Sequence, residues 1–327
     1  MNFRTEIEIP PFKHLISYSD NIFTLGSCFA DNIANYLVDR KYNVLANPFG
    51  VLYNPVSIYN SLKLIIDGRE FHKTDLVENQ SEWHSFYHHS DFSHHDQVQC
   101  LNNINECDKK ASMFLKETNW MIITYGTSYV YRLKENGEVV SNCHKFSQSI
   151  FEKQKLSSEE LKETIEFTLK ILEDVNPNIK IIFTISPIRH WKDSAIANQL
   201  SKAQLIVAVN EIVDKNNNCF YFPSYEIMMD DLRDYRFYDE DLLHPNKVAI
   251  NYIWQKFTES ILNPDDKQIM KKIERIISAK NHRVRNPHSD EHKQFVKSQL
   301  NLIDQLLTES KNIDLAQEQK YFESFLD

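Results

Sequence analysis

Two groups of residues in this chain have the types and spacing that acyl transfer requires. The first is Gly26-Ser27-Cys28, within "TLGSCFAD", where a short apolar run meets an amphipathic one. Gly26 permits a sharp strand-to-helix turn, which sets Ser27 at a helix N-terminus, where free N–H groups favour developing negative charge. The second is Asp241-Leu242-Leu243-His244, directly before Pro245. An aspartate three residues before a histidine can fold back, accept the imidazole N–H, fix its tautomer and stabilise the imidazolium. Ser27 as nucleophile, His244 as base and Asp241 as orienter is therefore the leading assignment. Cys28 stands beside it as a second nucleophile, since a helix N-terminus can lower a thiol pKa. His190 and His144 are rival bases.

These residues need a scaffold, and the apolar runs describe one. Residues 21–25, 42–48, 119–126, 179–187 and 219–223 read as five buried strands. Between and after them, residues 29–40, 55–67, 157–175, 193–215 and 244–262 carry helical spacing. Residues 128–145 read as a hairpin turning at Glu135-Asn136-Gly137. Unbroken apolar strands alternating with helices predict an α/β fold, a three-layer α/β/α sandwich on a five-stranded parallel sheet. The expected strand order is flavodoxin-like, 2-1-3-4-5, with functional residues at the carboxyl ends of the strands. Ser27 and Cys28 then follow strand one, Gly50 and Asn54 strand two, and Thr127 and Ser128 strand three. Arg189 and His190 follow strand four, and Asp241 and His244 come after strand five. Residues 1–262 are expected to form this domain, and 263–327 a helical extension packed on it or on a partner.

Six stretches in order, "LGSCFAD", "NPFGVLYNPVSI", "ITYGTSYVY", "NCHK", "SPIRH" and "YFPSYEIMMDDLRDYRFYDEDLLHP", resemble the GSCFA family, which is related to the SGNH/GDSL hydrolases. The similarity covers at least residues 1–262. It implies an SGNH-type fold and esterase or acyltransferase chemistry, with Ser27 in the place of the GDS serine and Asp241 with His244 as the DxxH pair. One departure is plain. SGNH enzymes carry GxND after the third strand, and this chain reads Gly126-Thr127-Ser128. The resemblance then implies an oxyanion hole of the Ser27 amide, the Gly50 amide and a Thr127 or Ser128 group, with Asn54 or Asn142 as substitutes. Losing one such donor slows catalysis about 10²–10³-fold.

Five of the 13 histidines, His84, His88, His89, His94 and His95, fall in "WHSFYHHSDFSHHD". A zinc site would draw three of them together with Asp91 or Asp96, but the spacing does not resemble HExxH. No metal and no cofactor is expected. The stretch reads instead as a wall or lid in which His84 and His88 contact a polar ligand such as a sugar, or as a surface loop. Arg189 and His190 are placed to bind an anionic or hydroxylated substrate, and Asn142, Cys143 and His144 to line the same pocket.

Composition bounds the rest. With 327 residues, 42% hydrophobic, and only five glycines, the chain suits one large domain or one domain plus an extension. A net charge of −9 argues against general binding to nucleic acid or an anionic membrane. No apolar run is long enough to span a bilayer, and from the first residues no secretory signal is expected. Five cysteines at irregular spacing suit reduced thiols in a cytoplasmic protein. The expected partner is a small-molecule or glycan ester; the oligomeric state is left open. A ligand-binding module that keeps the pocket, and a scaffold working through its helical tail, are the competing readings.

Overall fold

The computed structural model describes residues 4–287, 289–310 and 312–326. Five parallel strands form the central sheet: β1 (Asn21–Gly26), β2 (Asn43–Ala46), β3 (Trp120–Tyr125), β4 (Lys180–Ile185) and β5 (Cys219–Phe222). Their order across the sheet is β2-β1-β3-β4-β5, which is the order expected from the sequence. Gly26 pairs with Thr124, and Tyr125 with Ile185, so the carboxyl ends come level along one edge.

Successive strand residues point to opposite faces, and the core divides accordingly. Ile22, Ile122 and Ile182 pack with helix α1 (Cys28–Asp39) on one side, and Phe23, Ile123 and Phe183 with helix α2 (Pro55–Ile66) on the other. Helices α4 (Ser158–Val175) and α5 (Ala195–Val213) complete the second face, and α6 (Lys247–Ile261) joins α1 on the first. Three further helices, α7 (Asp266–Asn281), α8 (Asp290–Glu309) and α9 (Ala316–Glu323), extend the first cluster through Ile273, Ile303 and Phe322. The start of α4 shows how local sequence sets a boundary: Ser157 Oγ accepts the Glu160 N–H, and the Glu160 carboxylate accepts the Ser157 N–H.

Three parts differ from what the sequence spacing suggested. Helix α3 (Gln97–Lys116) is long yet polar; its buried apolar side chains are Cys100, Ile104, Ala111 and Leu115, too thin a stripe to announce a helix. The histidine-rich stretch is folded as a small hairpin, Val77–Asn79 against Glu82–His84, followed by a single turn at Ser90–Phe92. The 128–145 hairpin forms with its turn at Gly137, and a strand not expected from sequence, Phe151–Lys155, pairs with the outer edge of Tyr129–Leu133.

Candidate functional site

The strand-end loops are built one at a time. After β1 the chain turns at Gly26, whose φ is +138° and where an added Cβ would lie 2.2 Å from the Thr124 carbonyl oxygen. No residue but glycine fits there. Ser27 is the N-cap of α1, and its Oγ accepts the Phe29 N–H at 3.4 Å. Asn47 braces this turn, accepting the Gly26 N–H at 2.8 Å and donating to Asp31 at 2.5 Å. Ser27 is 1% exposed.

In the segment after β5, Leu242 takes a left-handed φ of 58° and folds Asp241 back beneath His244. One carboxylate oxygen accepts the amides of Leu243 and His244, each at 2.9 Å, and the other meets His244 Nδ1 at 2.5 Å. The two amides, and then the imidazole, hold the Asp241 carboxyl down at about 2. It is therefore ionised at neutral pH. His244 is 49% exposed, and its Nε2 has no partner among the described residues.

His190 follows β4, beside the loops after β2 and β3. Its ring meets Tyr53 edge-on at 5.6 Å, and its Nε2 is 3.2 Å from where a Gly126 side chain would begin. Burial, and then the Lys202 charge, hold its pKa at about 4, with His244 adding to the same field. That makes it a weak base at neutral pH. His144 is weaker still as a candidate: burial holds it at about 4, and its Nε2 bonds the Ser85 carbonyl at 2.8 Å. Cys28 begins α1, and burial together with the Asp31 charge raises its thiol pKa, the opposite of what thiolate chemistry requires.

Several sequence-predicted contributors are otherwise engaged. The Ser27 amide donates to the Thr124 carbonyl at 3.1 Å, and the Gly50 amide to the Asn47 carbonyl at 2.7 Å. The Thr127 amide donates to the Tyr53 carbonyl, and Ser128 gives both its amide and its hydroxyl to Ser201. The Thr127 hydroxyl faces Ser201 as well. None of these four is free to hold an oxyanion. Two other donors are: the Cys28 N–H makes no hydrogen bond among the described residues, and Asn54 caps α2 through Oδ1 alone, leaving Nδ2 without a partner. Both follow the first two strands.

The histidine-rich stretch is likewise turned inward. His84 bonds Ser93 and the Asn79 carbonyl through its two ring nitrogens, and His88 bonds Ser85 and Asp108. With both nitrogens engaged, neither ring offers a hydrogen bond to a ligand. Asn142 accepts the His144 amide in a local turn, which also removes its carbonyl from the pocket. Among the described residues no three histidine, cysteine or carboxylate side chains converge on a point where a metal could sit. Arg189 lies over Trp191 and in the field of Tyr225 and Tyr238, with no ion pair among the described residues.

Sequence reasoning missed Lys202. It is fully buried on α5, donates to the Ser186 carbonyl at 2.6 Å, lies 5.5 Å from the centre of the Tyr225 ring, and feels the Cys28 sulfur. Burial pushes its pKa down to about 7. A signal existed: Asn198, Ser201 and Lys202 continue the stripe of Leu205, Val209 and Ile212, so polar residues occupy core-facing positions. Because a buried ion with one carbonyl partner gains little, Lys202→Met is expected to shift stability at pH 6 by no more than about 1–2 kcal/mol, in either direction. Thermal unfolding checks this; a loss of more than about 4 kcal/mol would mean that the ammonium is held by far more than Ser186.

The same groups fix a pH dependence. The folded-state pKa values of His144 and His190, about 4, lie below the ordinary 6.5. Each therefore favours folding at neutral pH and loses that contribution as pH falls from 6.5 toward 4, by roughly 3 kcal/mol each at most. Lys202 has the same sign over a higher window: its neutral form is favoured in the fold, so stability climbs as pH rises from about 7 toward its ordinary value of 10.5. Denaturant midpoints measured from pH 4 to 7 should rise steadily; a flat profile that stays flat in His144→Asn would contradict the burial of these rings.

A family model, the GSCFA family, matches residues 21–257. The chain belongs to the GSCFA family. A second model, the C-terminal domain of GSCFA domain proteins, matches residues 273–327. No curated protein matches the chain. Among solved structures it is similar to a carbohydrate esterase family 3 from Talaromyces cellulolyticus, at 9% identity and a TM-score of 0.36, covering 77% of this chain and 98% of that one. It is also similar to a Clostridium thermocellum family 3 carbohydrate esterase, at 10% identity and a TM-score of 0.35, covering 77% and 97%. No helix among the described residues of this GSCFA chain is long and apolar enough to cross a membrane.

Proposed function

We propose that this GSCFA protein is a serine-dependent ester hydrolase or acyltransferase of the SGNH type, acting on an O-acyl ester carried by a sugar. The observation that carries the reading is the Asp241–His244 pair, with the carboxylate ionised, Nδ1 oriented and Nε2 open. In this mechanism His244 Nε2 takes the Ser27 hydroxyl proton as Oγ attacks the ester carbonyl. The oxyanion falls between the Cys28 N–H and Asn54 Nδ2, where the N-terminus of α1 adds its field. The C–O bond to the sugar then breaks, and the departing alcohol takes its proton from His244. Water, or an acceptor hydroxyl, reverses the sequence and frees Ser27. Tyr53 against His190, and Arg189 over the exposed Trp191, mix ring faces with hydrogen-bond donors, which suits a sugar ring.

A second reading, a ligand-binding protein that is catalytically weak or inert, draws on two observations. Ser27 is covered at 1% exposure, and the four predicted oxyanion donors are engaged elsewhere. Fluorophosphonate labelling separates the two. On the first reading, wild type labels slowly and turns over an activated acetate ester, and Ser27→Ala does neither. An inert wild type that still binds acetylated oligosaccharide saturably would select the second.

A further inference from the structure

A cavity of about 1290 Å³ opens between α7, α8 and α9, away from the strand-end loops. Its place is fixed by Arg40, the C-cap of α1, which pairs with Glu274 on the cavity wall at 2.6 Å. Twelve helical residues at about 1.5 Å each separate that cap from Ser27, so the cavity lies roughly 18 Å away, at the opposite pole of α1. It is a separate site.

Its lining has two characters. The floor is aromatic and aliphatic: Phe295, Leu302, Tyr321, Phe322 and Phe325. Phe325 meets Tyr321 at 5.3 Å and His292 at 5.0 Å, and Phe295 stands 40% exposed. The rim is cationic: Lys271, Arg275, Arg283 and Arg285 are exposed and make no ion pair among the described residues. Of the lining carboxylates, Glu274 is already engaged by Arg40, which leaves Glu291. Four unpaired cations around one groove are a marked local excess on a chain of net charge −9. Inside, Gln299 Oε1 and His292 Nε2 are buried with no hydrogen-bond partner. Buried polar atoms in that condition cost about 1–3 kcal/mol each until something pairs with them.

Together these features select an occupant. The volume exceeds the roughly 300–1,000 Å³ of small-molecule pockets. The walls are helices with an apolar trough between them, the geometry that receives another helix. The rim asks for carboxylates, and Gln299 asks for an N–H. We propose that this groove docks an acidic amphipathic helix of a partner protein, its apolar face on Phe295 and Phe325 and its carboxylates on Arg283 and Arg285.

The test uses the full-length protein and a fluorescein-labelled, helix-forming peptide of about 20 residues, with leucine at i, i+3, i+4 and i+7 and glutamate elsewhere. Fluorescence anisotropy should show saturable binding that weakens as salt is raised. The paired change Arg283→Glu with Arg285→Glu, and separately Phe295→Ser, should each weaken it about tenfold or more, with circular dichroism and any Ser27-dependent turnover unchanged. All three residues are exposed, and if the charge-reversed protein fails to fold, Phe295→Ser decides the question. Absence of saturable binding overturns the proposal, as does equal affinity for the same peptide with lysine in place of glutamate. So does a groove that instead captures anionic vesicles or single-stranded DNA while ignoring the peptide.

Discussion

His244→Ala should lower kcat on an activated acetate ester by about 10⁴-fold, with KM little changed. The size follows from what is removed. Without the imidazole the rival histidines cannot replace the proposed base at neutral pH, because His190 and His144 are both held near 4 by burial, and Cys28 is half-buried with its thiol pKa raised. Asp241→Asn should cost a similar factor, since an asparagine can donate to Nδ1 and so fix the wrong tautomer. The two losses should not add, because the pair acts as one unit. Steady-state kinetics on the two single variants and the double variant check all three statements. If His244→Ala retains more than about a tenth of wild-type kcat, the base is elsewhere, and His190→Ala is the next measurement.

Gly26→Ala should destabilise the fold on the order of 4 kcal/mol, lowering the melting temperature by about 10 °C. Two penalties combine. A φ of +138° is a conformation that side chains disfavour, and the added methyl would fall 2.2 Å from the Thr124 oxygen and 2.8 Å from the Thr124 carbonyl carbon and nitrogen. Thr124 is held in the register of β1 and β3, so it cannot retreat without breaking the sheet. The Ser27 amide bonds that same carbonyl, so the substitution should also remove Ser27-dependent labelling in whatever fraction still folds. Differential scanning calorimetry gives the first quantity. A variant melting within about 2 °C of wild type would show that the turn relaxes freely.

The architecture was legible because β1, β3 and β4 are unbroken apolar runs separated by helices with wide apolar stripes. Crossover handedness narrows the arrangements to a few doubly wound ones, of which the expected order is one. Helix α3 was not legible, because its core contacts are few and divided: Cys100 and Ile104 pack on a satellite cluster around Phe71, Ala111 and Leu115 on the second face of the sheet. For the site, spacing alone pairs Asp241 with His244, since three residues and one tight turn decide that contact. Spacing is silent on which way an amide points. The Ser27, Gly50, Thr127 and Ser128 donors were read from their position after a strand, and in the fold they bond Thr124, Asn47, Tyr53 and Ser201 in turn. The inward bonding of His84 and His88 was hidden for the same reason: their partners, Ser93 and Asp108, lie on segments whose approach no local pattern predicts. Lys202 was hidden by the ordinary assumption that a lysine on a helix faces water.

Asn47 has one more consequence, and it concerns the order in which the chain can assemble. Its amide bonds Thr24, its carbonyl receives Gly50, and its side chain reaches Gly26 and Asp31. Every partner lies within 23 residues of it, so these contacts close short loops. With Thr124 from β3 added, everything that shapes the Ser27 turn is drawn from the first 125 residues. His244 arrives from almost 120 residues further on, after β4, α5 and β5 have taken their places. During synthesis every residue that shapes the serine's setting is therefore made well before the proposed base.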